Sequence, residues 1–238
     1  MTFSSVMLVL VGSFFALFAA DDCDCSHFPI KPKACVPRCA LNASAAVLTE
    51  IMSAPDKGIP QDLLDKSQCI AIVPGLKKGA FIIGGQYGKG FISCRRGGVV
   101  GWSAPAAIRV EGGSFGFQIG GSETDVVMLV INQRGVNKLL SSKFTIGADA
   151  SAAAGPVGRT SSALTDAQMH AEILTWSRAR GLFAGISLEG ATLRPDEDWN
   201  TELYGKSVSN SNIVFGSTEA PASAAWLITV LNKYSSRK

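Results

Sequence analysis

Apolar residues fall along this chain in two textures. From Cys69 to Ile131 they form short runs punctuated by glycine: "CIAIVPG", "GAFIIGGQYG", "KGFISCRR", "VVGW", "AAIRVEGG", "SFGFQIGG" and "DVVMLVI". Runs this short, bounded by turn formers, predict strands at the spacing of an antiparallel sheet or barrel. Phe115, Phe117 and Ile119 alternate with Gly116, Gln118 and Gly120, a strand whose glycine face marks a close approach. In "FIIGGQYGKGF" the same reading predicts a hairpin, with Ile82 and Ile83 going up, "GQYGKG" turning, and Phe91 and Ile92 returning. Gly85, Gly88 and Gly90 would supply positive φ there.

The second texture is helical. Leu41, Ala45, Leu48 and Met52 recur at helical spacing, with Asn42 as a cap and Pro55 as the stop. Packing on the core and lying on a membrane are both open to such a helix; its few basic residues favour packing. "IPQDLLDKSQ" predicts a short helical turn with Pro60 near its start. "NQRGVNKLLSSK" predicts a helix with Val136, Leu139 and Leu140 inward. "PDEDWNTELYG" predicts one with Pro195 at its start and acids in its first turn. "APASAAWLITVLNKYSSRK" closes the chain with another. "FTIGADASAAAGPVGR" predicts a tightly packed extended segment. "AEILTWSRARGLFAGISLEGATL" predicts two strands around Arg180-Gly181; Asp166 to Arg180 also has helix propensity, with Thr165 as a cap, and the alternation of Trp176, Arg178 and Arg180 favours strand. No strand–helix alternation persists, which argues against a doubly wound parallel sheet. The expected fold is a single α+β domain: a glycine-rich antiparallel sheet or barrel flanked by short helices.

The first twenty residues change the picture of where the chain goes. "VMLVLVGSFFALFAA", Val6 to Ala20, is an uninterrupted apolar run ending in small residues. It is short for a membrane span, which needs about 20 residues, and suits the core of an export signal. The expected organisation is a signal peptide over 1–20, a Cys/Pro-rich lead over 21–40, and a domain over 41–238 with a C-terminal helix. The expected destination is exported, periplasmic or extracellular, with peripheral membrane association. Cys23, Cys25, Cys35 and Cys39 cluster in the lead. Their spacing matches no common zinc pattern, and in an oxidising compartment two disulfides would staple this segment. Buried thiols and a further bridge are both open to Cys69 and Cys94. Asn42-Ala43-Ser44 is a glycosylation sequon, relevant in a eukaryotic secretory pathway.

Candidate chemistry is sparse. A phosphate loop needs G-x-x-x-x-G-K-[ST]. Gly84 to Gly88 leaves too few residues between, Gly90 follows Lys89 where a hydroxyl is required, and no helix-forming segment comes next. Only His27 and His170 exist, and no nucleophile elbow offers either a partner. A hydrolase would have to use His170, and the acids Asp65, Asp125, Asp149 and Glu189 could pair only through the fold. No catalytic residue, metal site or cofactor is expected, and the chain does not read as an enzyme.

Charge segregation rises above this background. The net charge is only +3 and charged residues are 17% of the chain, too little for a nucleic-acid partner. Yet between Asp65 and Glu111 there is no acid, while Lys66, Lys77, Lys78, Lys89, Arg95, Arg96 and Arg109 all fall there. At strand ends and turns of an antiparallel sheet these cations would gather on one rim. Apolar residues interleave with them. Such a rim suits an anionic lipid surface, where each Lys or Arg contributes about 1 kcal/mol. Lys77, Lys78, Lys89, Arg95 and Arg96 are the candidate lipid-binding residues.

The ordered set "LLDKSQCIAIVPGLKKGAFIIGGQYGKGF", "GWSAP", "GPVGR" and "GLFAGISLEG" resembles the SYLF domain family, in the form of an exported bacterial-type member. The resemblance runs from about Ile59 to Tyr204. It implies phospholipid binding, including phosphoinositides, without established catalytic residues; its basic turn and hairpin lysine match Lys77, Lys78 and Lys89. Some fungal members bind actin, a partner not expected for a chain that leaves the cytoplasm. A structural or protein-interaction role in the cell envelope is the alternative.

Overall fold

The computed structural model describes residues 35–54, 58–80, 84–97, 100–114, 120–157, 170–179, 182–186 and 188–235. The expected signal peptide, most of the cysteine lead, Thr165, the hairpin pair Ile82 and Ile83, and the alternation of Phe115, Phe117 and Ile119 lie outside the described residues.

Among the described residues two helices come first, α1 (Cys35–Ser53) and α2 (Gln61–Lys66). Four long strands follow: β1 (Cys69–Ala80), β2 (Gly84–Cys94), β3 (Ala106–Ser114) and β4 (Gly120–Val130). Then come α3 (Gln133–Leu139), β5 (Phe144–Thr145), β6 (Ala152–Ala154), β7 (Ile173–Ala179), β8 (Leu182–Gly185) and β9 (Thr192–Pro195). The chain ends with α4 (Glu197–Tyr204), α5 (Asn210–Phe215) and α6 (Ala225–Tyr234). The strands form one sheet in the order β5-β9-β3-β2-β1-β4-β7-β6, with β8 also on β7. All pairings are antiparallel except β6 with β7, which is parallel.

This order forces the sheet to curl. Laid flat, eight strands would span about 34 Å. Yet residues 146–151 alone carry the chain from β5 at one edge to β6 at the other, and residues 186–191 carry it from β8 back to β9. Connections that short reach at most about 25 Å. The two crossings bond to each other: Ile146 N–H donates to Ala191 O at 2.8 Å and Gly190 N–H to Ile146 O at 2.9 Å.

Curling gives the sheet two buried faces. The inner one gathers Ala71, Val73, Ile92, Ile108, Val126, Met128, Phe144 and Leu193, with α3 adding Val136 and Leu139 and α5 adding Ile213 and Val214. The outer one sets Ile70, Ile72, Phe91, Val127, Leu129, Leu174 and Trp176 against Leu41, Ala45, Leu48 and Ile51 of α1 and Leu227, Val230 and Leu231 of α6. Burial on both faces is why "CIAIV" and "VVMLV" are continuous rather than alternating. It also settles the helix of Leu41 to Met52: it packs on the core. Its start differs from expectation. Asn42 does not cap it; α1 begins at Cys35 and takes in the end of the lead. Ser44 is fully buried and donates to Ala40 O, so the sequon is closed to modification in the folded chain.

The stretch "GGQYGKGF" is strand, not turn: it lies within β2, paired on both sides. Gly85, Gly88 and Gly90 are not among the glycines with positive φ. Gly88 and Gly90 serve close approach instead. A Cβ on Gly90 would stand 2.0 Å from Ile72 O, and one on Gly88 2.8 Å from both Leu76 and Val73. The cause lies in β1, where Ile72 opposes Phe91 but Lys77 opposes Tyr87, and Val73 opposes Val126 but Leu76 opposes Thr124. One extra residue at Pro74-Gly75 makes a bulge against both neighbours, with Gly75 at φ 64°.

Cys69 and Cys94 are opposite residues of β1 and β2, fully buried and joined as a disulfide. The remaining elements follow expectation with two changes. Pro195 ends β9 rather than opening α4, whose cap is Asp196. Helix α5 has no counterpart in the sequence reading. β7 and β8 form the expected pair, and Arg180-Gly181 between them lies outside the described residues.

Two alanine substitutions separate the glycine roles. Gly90→Ala forces backbone of β1 and β2 apart and lowers stability by about 3 kcal/mol or more. Gly79→Ala, where a Cβ meets nothing within 4 Å, changes it by less than about 1 kcal/mol. Urea midpoints at equal m-value measure both; equal losses would show that crowding at Gly90 is not what β2 requires.

Candidate functional site

The five expected basic residues do not form one rim. Lys77 and Lys78 lie toward one end of β1, opposite Tyr87 and Gln86. Arg95 and Arg96 follow the far end of β2, some nine residues beyond, or about 30 Å along the strand. Lys89 lies between.

Arg95 is interior. It is 8% exposed, its Nε donates to Ser67 O at 3.0 Å, its Nη1 to Ser235 O at 3.2 Å, and its Nη2 to Leu64 O at 3.3 Å and to Ser235 Oγ. Its guanidinium stacks 4.2 Å from the Trp102 ring centroid, and Trp102 Nε1 donates to the same Ser235 carbonyl at 2.8 Å. These bonds tie α2, the end of β2 and the end of α6 together. Four of the five guanidinium N–H donors are spent inside the fold, and the burial of the group keeps it from a head group.

Lys89 is also committed. Its Nζ lies 2.7 Å from Asp196 Oδ2 and 4.8 Å from the Trp199 ring centroid. Asp196 is 1% exposed and caps α4 by accepting from Trp199 N–H at 3.0 Å. Trp199 in turn stacks on Phe91 at 5.7 Å. The lysine that looked like part of a phosphate loop is the counter-charge of a buried helix cap. A second lock sits beside it. Asn200 Oδ1 accepts from Ala107 N–H at 2.8 Å, its Nδ2 donates to Asn210 Oδ1 at 2.6 Å, and Asn210 Nδ2 donates to Ala107 O at 3.0 Å. The sequence signal for the cap was present: Asp196 directly precedes the helix.

Arg96 is half-buried and donates to Thr218 O at 3.3 Å. Burial raises the Tyr204 pKa above its ordinary value, with the Arg96 charge opposing. At the bulge, Gly75 N–H donates to Asp125 Oδ1 at 2.9 Å, and Arg178 pairs with Asp125 Oδ2 at 2.6 Å and with Glu50 of α1. Burial raises the Asp125 pKa, with the Gly75 N–H opposing, and lowers that of Arg178.

What the surface retains is the Lys77–Lys78 end. Cross-strand register sets Glu111, Tyr87, Lys77 and Glu123 in one row, with Tyr87 48% exposed. The next row on that face is Gly113, Gly85, Gly79 and Gly121. Glu111 is shared by Arg109 at 3.0 Å and Arg194 at 3.8 Å. Lys78, one residue on, points to the opposite face. Elsewhere, His170 is exposed and its carbonyl accepts from Ser151 Oγ. Asp149 accepts from Thr145 N–H, and Asp65 from Ser235 Oγ. Among the described residues no His, Cys, Asp and Glu group could hold a metal.

Comparison with known proteins places this geometry in a family. The family model described as "Ysc84: Las17-binding protein actin regulator" matches residues 111–234. "SH3 domain-containing YSC84-like protein 1" of Homo sapiens is 33% identical over 192 residues, covering 79% of this chain and 56% of that protein. "Protein YSC84" of Saccharomyces cerevisiae is 32% identical over 180 residues, covering 74% and 38%. An SH3 domain-containing protein of Schizosaccharomyces pombe is 35% identical over 177 residues, covering 73% and 41%. The chain thus spans about half the length of the curated relatives it matches.

Arg95→Leu removes the donors that join the Ser67, Leu64 and Ser235 carbonyls, unties α2 from the ends of β2 and α6, and lowers stability by about 3 kcal/mol or more. Lys89→Met leaves the Asp196 carboxylate unpaired in the interior and costs about 2 to 4 kcal/mol. Lys77→Ala changes stability by less than about 0.5 kcal/mol. Chemical denaturation orders the three, and a mild Arg95→Leu would overturn its assignment as an interior tie.

Proposed function

The chain belongs to the SYLF, or Ysc84, family, and from that premise we propose that it is a non-enzymatic module that meets anionic phospholipid head groups with the Lys77–Lys78 end of its sheet. The observation that carries this reading is which cations stay available. Lys89 and Arg95 serve the interior, whereas Lys77 is exposed and Lys78 half-exposed. Neighbouring residues of a strand point to opposite faces, so a surface that touches both lysines must meet the sheet end-on. Lys77, Lys78, Arg109 and Arg194 stand there against Glu111 and Glu123, which leaves the end cationic. Tyr87 offers an amphipathic ring between them, suited to a membrane interface. In sequence, the residues following β1 are Phe81, Ile82 and Ile83, and those following β3 include Phe115 and Phe117. Export of the chain, with this end facing an envelope membrane, belongs to the same proposal.

A protein partner is the second reading, favoured by the description of the matched family, which names Las17 binding and actin regulation. The expectation that actin is not a partner rests on export of the chain and draws no support from the comparisons.

Co-sedimentation with phosphatidylcholine vesicles, with and without phosphatidylserine, at low and high salt, tests the proposal. Binding is expected only to anionic vesicles, weakened by salt, and at least about tenfold weaker in Lys77→Glu/Lys78→Glu. Undiminished binding by that folded variant would remove the site. Binding to no vesicle, together with capture by actin filaments, would favour the second reading.

A further inference from the structure

A cavity of about 460 Å³ opens at the other end of the molecule, where the chain enters and leaves α5. Lys206, Ser207, Ser209, Asn212, Ser217 and Thr218 line it, and no carboxylate does. The internal bonds of this wall leave its donors unspent. Ser209 Oγ accepts from Asn212 N–H at 3.3 Å, so its own proton is available. Thr218 Oγ1 donates to Asn212 O at 3.0 Å, which fixes the far wall. Lys206 is exposed and has no ion pair among the described residues, and the hydroxyls of Ser207 and Ser217 and the Asn212 side-chain amide have no hydrogen-bond partner among them. Arg96 anchors the Thr218 carbonyl from behind at 3.3 Å, adding a second positive charge beside the wall.

One ammonium, three hydroxyl donors and an amide, with no acid among them, complement a group carrying several acceptor oxygens and negative charge. The volume exceeds what a phosphate alone fills and falls within the range of small-molecule sites. We infer that this cavity binds the phosphate monoester of a small polyhydroxylated molecule, with Lys206 and the serines on the phosphate and Asn212 on the polyol. The site is separate from the proposed membrane-facing end. Arg96, beside it, lies about 30 Å along β2 from the residues opposite Lys77 and Lys78. A bilayer resting on those lysines therefore does not reach it.

Calorimetric titration of the full chain with glycerol 3-phosphate, inorganic phosphate and glycerol tests the inference, beside flotation with phosphatidic acid vesicles. Saturable binding of glycerol 3-phosphate is expected, at least about tenfold tighter than glycerol. It should weaken about tenfold in Lys206→Ala and stay unchanged in Lys77→Glu/Lys78→Glu. Flotation that depends on Lys206, without binding of the soluble ester, would assign the same phosphate chemistry to a lipid source. Absence of saturable binding in both arms, or affinities indifferent to Lys206→Ala, would overturn it. Because the two variants lie at opposite ends, loss of vesicle binding in the Lys77 and Lys78 variant alone bears only on the membrane-facing proposal.

Discussion

One extra residue in the central strand governs the sheet. Strand side chains alternate faces, and a one-residue slip exchanges them. Before the bulge at Pro74-Gly75, Ile70 and Ile72 face the helices on the outer side. Had the alternation continued, Leu76 would have followed them outward and Lys77 would have entered the interior. The insertion reverses the parity, so Leu76 is buried inside and Lys77 is outside. It also breaks the ladder to both neighbours, and the freed Gly75 amide is taken by the Asp125 side chain. That carboxylate recruits Arg178, and Arg178 reaches Glu50 on α1. The kink draws β2 so close that glycine is required at Gly88 and Gly90. Bulge, ion chain and glycines form one device.

The acid-free stretch from Lys66 to Val110 shows how sequence windows mislead about charge. Its cations look unanswered because their partners lie elsewhere in the chain. Asp196 answers Lys89, and main-chain carbonyls, which carry no formal charge, answer Arg95. Carbonyl oxygens are invisible to any count of acids, and they suffice because a buried guanidinium can distribute five donors. The cations left to the surface on β1, Lys77 and Lys78, have Tyr87, Gln86, Ser122 and the exposed Glu123 as register neighbours.

Elements with complete local signals were legible. The helix expected in "NQRGVNKLLSSK" is α3, with Val136 and Leu139 buried, and the Trp176–Arg178 alternation marked β7 correctly against a plausible helix. The doubly buried runs of β1 and β4 could be assigned to strands by their length and branching. What escaped was decided by distance in the chain. "GQYGKG" reads as a turn because glycine permits positive φ, but the crowding that demands glycine comes from Ile72 and Val73. The parallel placement of β6 follows from the crossing at residues 146–151, which no periodicity reports. Helix α5 is too short for a periodic signal, and its hold on β3 depends on Asn200 and Asn210. Of the basic residues singled out, Lys77 and Lys78 reach the surface together, and the cavity beside α5 had no motif to announce it.

The tie around Arg95 carries a timing. Its last acceptor, Ser235, follows it by 140 residues. At about 5–20 residues per second of synthesis, the guanidinium waits on the order of ten seconds for the carbonyl and hydroxyl that complete its shell. During that interval the end of β2 cannot bury its charge, α2 has nothing to lock against, and the outer face stays uncovered by α6. The domain is therefore built to close late, only after α6 has been made.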